Sequence, residues 1–268
     1  MINKNFRQNR LELEEKIDTT LLGKIIYYFD EIDSTNDYAK KIASYTDEGT
    51  VVLAGCQTKG KGRFERTWVS DKDGIFLSLV LKPSMQLNRI IQITLLSSIC
   101  VLNTISKMTD LKPKIKWPND IIINNKKVAG ILTEVVNNGK EFNVIVGIGV
   151  NLNNKNFDDL LKHKATSIFL ETNILYKKDN FISLFLKEFE QKYLTYKNEK
   201  SFDLFLDDYK SLCINIGKQA KVIYNNKEIV GKVIDISDMG EVIFKCENNE
   251  IKIISGEVLL RNINGEYI

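Results

Sequence analysis

The sequence predicts an α+β fold: a mixed or antiparallel sheet with flanking helices, followed by a small all-β domain at the C-terminal end. Up to about residue 213, short apolar runs bounded by turn residues alternate with longer segments of helical character. After Gly217 the pattern changes to short strands separated by tight turns, which is typical of a small β-barrel of about 50 residues. We therefore predict two domains, over residues 1–216 and 217–268.

The predicted elements follow one another in a clear order. After a charged, amphipathic lead-in over residues 1–24, the strand IIYYFDEI leads into the cap-forming DSTN and a helix that reaches about Ser44. Asn138-Gly139 is a strong signal for a hairpin. The remaining predicted strands are TVVLAGCQT, GIFLSLVL, KIKW, IIIN, KVAGILTEVV, EFNVIVGIGVNL, QAKVIYNN, EIVGKVIDI, GEVIFK and EIKII, and the remaining helices cover about residues 87–108, 179–197 and 202–213.

The composition excludes several classes of protein. The 38 basic residues nearly cancel the 35 acidic ones, so charge gives no argument for binding nucleic acid or a membrane. The four cysteines form no CxxC pair and only one histidine is present, which argues against a zinc site and predicts buried, reduced thiols. The N-terminus lacks the apolar segment of a secretory signal, and the apolar stretch from Ile90 is too short and too polar to span a bilayer. We therefore expect a cytoplasmic protein.

A basic, glycine-rich loop, GKGRFERTW over residues 60–68, is the first candidate functional segment. Its glycines permit a close approach of the backbone, and its N–H groups with Lys61, Arg63 and Arg66 suit an anion. Such a loop, taken alone, is more often a solvated surface turn. Gly55 to Lys61 also fits the start of a phosphate-binding P-loop, but Gly62 stands where Ser or Thr is required and no apolar helix follows, so we reject that motif.

Three further polar clusters are hard to explain as scaffold. KWPND (116–120) places an amide and a carboxylate on a turn restricted by proline, although an Asx-type turn would explain it equally well. Lys127 could be a solvated edge residue, yet Gly130 lies in mid-strand just after it, which suggests that a ligand or another backbone lies there. VGIGVN (146–151) has two glycines inside an apolar strand. Each signal is weak alone, but their order is specific.

This succession of motifs resembles the catalytic domain of the biotin–protein ligases, which are related to lipoate ligases. The pair KWPND and KVAGIL at this spacing is highly specific. The resemblance covers about residues 27–175, and the ending GEVLLR extends it to a C-terminal SH3-like β-barrel. The matching stretches are DSTN (33–36), QTKGKGRFERTW (57–68), KWPND (116–120), KKVAGILTE (126–134) and VGIGVNLN (146–153).

The resemblance implies an enzyme that activates biotin with MgATP to biotinyl-5'-AMP and pyrophosphate, and then transfers biotin to a lysine of a biotin carrier domain. It implies that Arg63 and Lys127 are catalytic, and that magnesium binds through the ATP phosphates, near Asp120 and Asn151. The residues implied for biotin are Ser34, Thr35, Asn36, Gln57, Gly60, Lys61, Gly62, Arg63, Lys127, Gly130, Leu132 and Gly147. The residues implied for ATP are Arg66, Trp68, Lys116, Asn119, Asp120 and Asn151.

The implied chemistry explains why such residues are needed. A carboxylate that attacks a phosphate is opposed by charge repulsion, which Arg63, Lys127 and a magnesium ion would offset. Little acid–base work is required, although Asp120 is a candidate to help deprotonate the carrier lysine. This chain reads Gly60-Lys61-Gly62-Arg63 where the family usually has GRGR. Lysine keeps the charge but lacks the bidentate fork of arginine, so we expect looser retention of the adenylate.

Three alternatives remain open at this point. A lipoate–protein ligase would share the fold, but the GKGR loop with KWPND and KVAGIL resembles the biotin type more closely. A repressor that binds DNA is a second alternative; the short N-terminus and the lack of a recognition helix lead us to expect a monofunctional enzyme without DNA binding. A non-enzymatic β-rich binding module is the third. Relatives often pair through a sheet edge, so a homodimer is also conceivable.

Overall fold

The protein is described here from a computed structural model. It covers residues 13, 15–139, 141–224, 227–247, 249–254 and 260–261, so most of the predicted lead-in lies outside the described residues. The strands are β1 (Ile26–Ile32), β2 (Val51–Gln57), β3 (Ile75–Leu81), β4 (Lys114–Lys116), β5 (Asp120–Ile123), β6 (Lys126–Asn138), β7 (Glu141–Val150), β8 (Gln219–Tyr224), β9 (Lys227–Ile236), β10 (Val242–Cys246), β11 (Asn249–Ile253) and β12 (Leu260–Arg261). The helices are α1 (Thr35–Ile42), α2 (Ile90–Met108), α3 (Ile168–Thr172), α4 (Lys178–Glu199) and α5 (Asp203–Leu212).

A seven-stranded sheet forms the centre of the first domain, in the order β1-β2-β3-β7-β6-β5-β4. Only the β1–β2 pair is parallel, and the other pairs are antiparallel. The predicted mixed sheet with flanking helices is therefore confirmed. Alternating apolar side chains bury both faces of the sheet: Leu77 and Leu79 belong to the large core beneath α2 and α4, whereas Val80 packs beneath α1. The short helix α3 was not predicted.

Helix α2 lies in the interior of the domain. Together with the turn before it, this is the one segment of the described chain that is long and apolar enough to cross a bilayer, but 78% of its most apolar window is buried inside the protein. It packs against β6 on one side and α4 on the other. The prediction of a buried helix starting near Ile90 is confirmed, and its apolar character is explained by the core around it.

The second sheet has five antiparallel strands in the order β11-β10-β9-β8-β12, as predicted for the C-terminal domain. Within the described residues no ladder joins β11 to β12. This sheet contacts the first domain closely, because the Trp117 indole donates to the Gly240 carbonyl (3.0 Å) and the Gln92 amide donates to the Asp238 carbonyl (2.8 Å). Its first strand begins at Gln219; a domain boundary between residues 216 and 217 remains a prediction.

The four thiols are all free, but the prediction that all are buried is wrong for two of them. Cys100 and Cys213 are buried, and burial raises the pKa of both thiols, that of Cys213 to about 11. Cys56 and Cys246 are only half-buried. Both lie at the C-terminal ends of short strands. The apolar pattern of each strand predicts a buried side chain there, but the end of the strand reaches the border of the sheet, where the side chain is partly exposed.

A buried carboxylate on α4 holds the segment that precedes β1. Glu190 is 6% exposed and accepts hydrogen bonds from the backbone N–H groups of Thr20, Leu21 and Leu22 at 2.6–2.7 Å. Burial by itself raises the pKa of Glu190, but these donors outweigh it and lower the pKa below its ordinary value. The carboxylate therefore stabilises the fold in its charged form.

We expect Glu190→Ala to lower the free energy of unfolding by about 2–4 kcal/mol at neutral pH, because three backbone donors, that of Leu22 buried and the other two partly buried, lose a charged acceptor. Since the folded-state pKa is lowered, this contribution is present above the unfolded pKa of about 4.3 and is lost as pH falls through the folded value. Urea unfolding at neutral pH and in acid measures both effects. Glu199→Ala, an exposed change on the same helix, is the control; equal losses for the two variants would contradict the prediction.

Candidate active site

Two cavities adjoin each other near the interior strands β6 and β7 of the seven-stranded sheet. The first has a volume of about 460 Å³, its opening to solvent included, and extends from the N-terminus of α1 to the middle of β6 and β7. The second has a volume of about 1,590 Å³, measured in the same way, and extends from the basic loop to the segment that follows β7. The wall between the two cavities is common to both and consists of Gly62, Arg63, Trp68, Asn119 and Lys127.

The structure brings nearly all of the predicted site residues to these cavities. Every residue expected to contact biotin lines the first cavity except Gly60. Every residue expected to contact ATP lines the second. Gly60 instead lies inside the basic loop, where a Cβ would stand 2.4 Å from the Trp68 carbonyl oxygen, so packing within the loop requires its glycine. Three residues assigned to biotin (Gly62, Arg63 and Lys127) and two assigned to ATP (Trp68 and Asn119) line both cavities, so the ligand that each residue contacts remains a prediction.

The closed end of the first cavity is polar. Ser34 caps α1 by accepting from the Asp37 N–H (3.3 Å). The next residue, Thr35, donates through both its N–H (2.8 Å) and its hydroxyl (3.1 Å) to the Gln57 side-chain oxygen. Ser78 on β3 is fully buried and donates to the Thr35 hydroxyl (2.8 Å). These fixed donors and acceptors can recognise a neutral polar group in an otherwise apolar cavity.

Asn36 is held by the protein on both sides of its amide. Its oxygen accepts from Ser78 (2.6 Å), and its nitrogen donates to the carboxylate of Glu134 (2.8 Å) and to the Leu132 carbonyl (3.3 Å). A Cβ at Gly147 would lie 2.1 Å from the Asn36 oxygen. Gly147 was predicted to allow close approach of a ligand, but its immediate neighbour is Asn36. The lack of a side chain at Gly147 leaves the space that the Asn36 amide occupies.

The glycines near the shared wall accommodate an indole. Trp68 lies against β7, where a Cβ at Gly149 would stand 2.6 Å from its ring, and a Cβ at Gly130 would stand 3.0 Å from it. The indole thereby forms part of the floor of both cavities. The Lys127 ammonium lies 5.0 Å from the ring centroid. The mid-strand glycines thus reflect a close approach, as predicted, but by a side chain of the protein itself.

The basic loop folds as a small hairpin. Lys61 pairs with Thr67 across its base, the Gly62 N–H donates to the Arg66 carbonyl (2.7 Å), and the Trp68 N–H donates to Gly60 (2.9 Å). The left-handed backbone falls at its tip, on Phe64 and Glu65 (φ 56° for each), and not on the loop glycines. The hairpin therefore spans the cavities with a tight, non-glycine turn at its end.

Two cations stand at the junction of the cavities. Lys127 forms an ion pair with Asp120 (2.5 Å), and Arg63 donates to the Asn119 side-chain oxygen (3.0 Å). Asn119 is itself fixed, because its amide nitrogen donates to the Ile131 carbonyl (2.9 Å). Burial lowers the pKa of Arg63, although the nearby Asp120 opposes this effect. A partly desolvated guanidinium and an ammonium thus stand at one point, where an anion that displaced Asp120 from Lys127 would meet two cations.

Several site residues were missed by the sequence reasoning. Ser78 could have been found from the sequence, because it is the one residue with a hydroxyl group in the apolar strand GIFLSLVL. A buried hydroxyl needs hydrogen-bond partners, which indicates a polar cluster at that position. Asp37 directly follows the motif DSTN and Glu134 ends the stretch KKVAGILTE, and neither was assigned a role. Between β7 and α3, Phe157 and Leu161 line the larger cavity, and no local pattern marked them.

Comparison with known proteins agrees with this geometry. Residues 28–151 match the biotin/lipoate A/B protein ligase family, and residues 216–261 match the biotin protein ligase C-terminal domain. The bifunctional ligase/repressor BirA of Bacillus spizizenii is 33% identical over 265 residues, which is 97% of this chain and 81% of that protein. The chain belongs to the biotin/lipoate protein ligase family.

Other members of the family support the same assignment. The biotin–[acetyl-CoA-carboxylase] ligase of Mycobacterium tuberculosis is 28% identical over 235 residues, covering 84% of this chain and 85% of that protein. The biotin protein ligase of Aquifex aeolicus, solved in complex with biotin and ATP, superposes with a TM-score of 0.81 at 30% identity over 89% of this chain and 99% of its own. The recognised family and the predicted fold are therefore confirmed.

Proposed function

We propose that this protein is a biotin–protein ligase. The observation that carries the proposal is the shared wall, because it places Arg63 and Lys127 where a carboxylate in the first cavity would meet the α-phosphate of a nucleotide in the second. Two anions must approach at that point, and two partly desolvated cations reduce their repulsion. The match to the family, and to a relative solved with biotin and ATP, supports the same two substrates.

The reaction then proceeds in two steps. A biotin carboxylate oxygen attacks the α-phosphorus, the bond to the β-phosphate breaks, and pyrophosphate leaves with the negative charge that Lys127 and Arg63 help to stabilise. The amine of a carrier lysine next attacks the carbonyl of the mixed anhydride, and AMP leaves. That amine must lose a proton, and Asp120 is the proposed acceptor once Lys127 has turned to the phosphate.

Magnesium would enter with the ATP phosphates and neutralise part of their charge. The described residues contain no group of three or more His, Cys, Asp or Glu side chains suited to holding a metal. The oxygen donors of the larger cavity, which include Asp120 and Asn151, suit a hard cation that keeps most of its ligands from phosphate and water.

The closed end of the first cavity favours biotin over lipoate. A ureido group presents one acceptor and two donors, which Thr35 and Gln57 on the cavity wall can recognise, while the buried Ser78 behind them holds Thr35 in place. The dithiolane ring of lipoate has no strong hydrogen-bonding groups. These polar side chains would therefore give up their hydrogen bonds with water without gaining others from the ligand. The carrier is proposed to be a biotin carrier domain. A homodimer, a cytoplasmic location and the lack of repressor activity remain predictions.

The test combines substrate specificity with product identity. We expect ATP–pyrophosphate exchange that depends on biotin and is not supported by lipoate, and we expect mass spectrometry to detect one biotin on a carrier domain incubated with the protein, biotin and MgATP. Exchange supported by lipoate alone would replace the proposal with the lipoate alternative. Exchange with neither acid would refute an adenylating enzyme of this class.

A further inference from the structure

The two basic residues of the loop reach in opposite directions. Arg63 extends to Asn119 in the turn just before β5, whereas the Lys61 ammonium contacts both oxygens of Asp37 on α1, at 2.8 and 2.7 Å. The hairpin is thus fastened on both sides of the first cavity, whose walls include the N-terminus of α1 and Asn119. Lys61 was expected to hold the anion, but its charge is already paired with a carboxylate of the protein.

Asp37 belongs to a chain of charges that runs back to the cavity wall. Lys40 bridges Asp37 (2.9 Å) and Glu134 (2.8 Å), and Glu134 accepts from Asn36. Burial raises the pKa of Asp37, but its hydrogen bonds to Lys40 and Lys61 outweigh burial and lower it, so the carboxylate is charged at neutral pH. Lys40, on the same helix, holds Asp37 in place, and Lys61 contacts it from the basic loop.

We propose that Asp37 is a positioning residue that fastens the basic loop over the first cavity through Lys61, and that this fastening sets how long the activated intermediate is retained. The first half concerns the loop itself. The second half rests on the proposed ligase function, since it requires an adenylate in the site. The Lys61 side chain is 45% exposed, so the pair is moderate in strength and sensitive to salt.

The fastening can be measured without any ligand. Phe64 at the tip is 46% exposed, and we expect chymotrypsin to cleave after it when the hairpin opens, because a protease binds its substrate as an extended segment and the closed hairpin holds a tight turn there. We expect Asp37→Asn to accelerate this cleavage about two- to fivefold at low salt, the range for a partly exposed ion pair. We also expect high salt to bring the wild type to the rate of the variant. Asp18→Asn, which removes the exposed ion pair with Lys187 remote from the loop, is the matched control.

A double-mutant cycle then separates this pair from other effects of the change. If Asp37 acts through Lys61, Asp37→Asn adds nothing in the Lys61→Met background, whereas Lys40→Met leaves the loop largely fastened. Cleavage of Asp37→Asn at the wild-type rate, or full additivity in the cycle, would overturn the proposal.

Retention of the intermediate is tested separately. Release of biotinyl-5'-AMP should be about two- to fivefold faster in Asp37→Asn, and slower than wild type in Lys61→Arg, whose planar guanidinium can donate two parallel hydrogen bonds, one to each Asp37 oxygen, where the ammonium shares a single nitrogen between them. Altered cleavage with unaltered release would overturn the retention half alone. If no adenylate forms in the wild type, the proposed function fails while the cleavage result still decides whether the fastening exists.

Discussion

Lys127→Ala should reduce biotin-dependent ATP–pyrophosphate exchange by about 10²–10³-fold, because one of the two cations at the junction of the cavities is lost. Biotin itself should still bind, since the polar end of the first cavity is formed by residues on α1, β2 and β3. Exchange assays and biotin titration by calorimetry measure the two effects.

The control for this change is its neighbour in the same strand. Lys126→Ala removes an equal charge, but Lys126 lines neither cavity. Full exchange activity in Lys127→Ala would remove Lys127 from the proposed role. A loss of biotin binding as large as the loss of exchange would instead indicate that Lys127 stabilises bound biotin and the transition state of adenylation equally.

Gly147→Ala should weaken biotin binding by about 5- to 150-fold, the effect of 1–3 kcal/mol of overpacking. The new methyl group would lie 2.1 Å from the Asn36 oxygen, so the amide must move and give up its hydrogen bonds to Ser78 and Glu134. The displaced side chain would then enter the cavity. Calorimetric titration measures the affinity, and thermal unfolding reports whether the fold persists.

A second substitution tests whether the collision with Asn36 is the cause. Asn36→Ala removes the amide and provides space for the methyl group. If the collision explains the loss, the double variant binds biotin no worse than Asn36→Ala alone. A double variant that combines both losses in full would show that the methyl group obstructs the ligand directly, as the sequence reasoning expected of Gly147.

The strands and helices were largely predictable because their signals are local. Alternation and apolar runs in GIFLSLVL and EFNVIVGIGVNL define strands whichever partners they have, and the long apolar run from Ile90 defines a helix by its length. α3 was not predicted because it has only five residues and its cap, Ser167, acts through a single hydrogen bond to the Leu170 N–H. Helices this short depend on tertiary contacts for their stability.

The order of the motifs was sufficient to predict the family and which residues line the site. Each motif carries residue types that scaffold alone does not require, and their succession along the chain is far less probable by chance than any one of them. The residues expected for biotin line the first cavity and those expected for ATP line the second, although five of them line both. Gly60 was the exception, because a glycine required by packing within a loop has the same appearance in sequence as one required by a ligand.

Only the tertiary structure decided what the charged residues of the loop contact. Lys61 and Arg63 stand two positions apart, yet their partners lie 24 residues before and 56 residues after them in the chain. The basic loop looked like a single anion site because the sequence contains the charges but not their distances. Long side chains take whichever partner the fold brings within about 3 Å, and that is decided by the packing of α1 and β5 around the sheet.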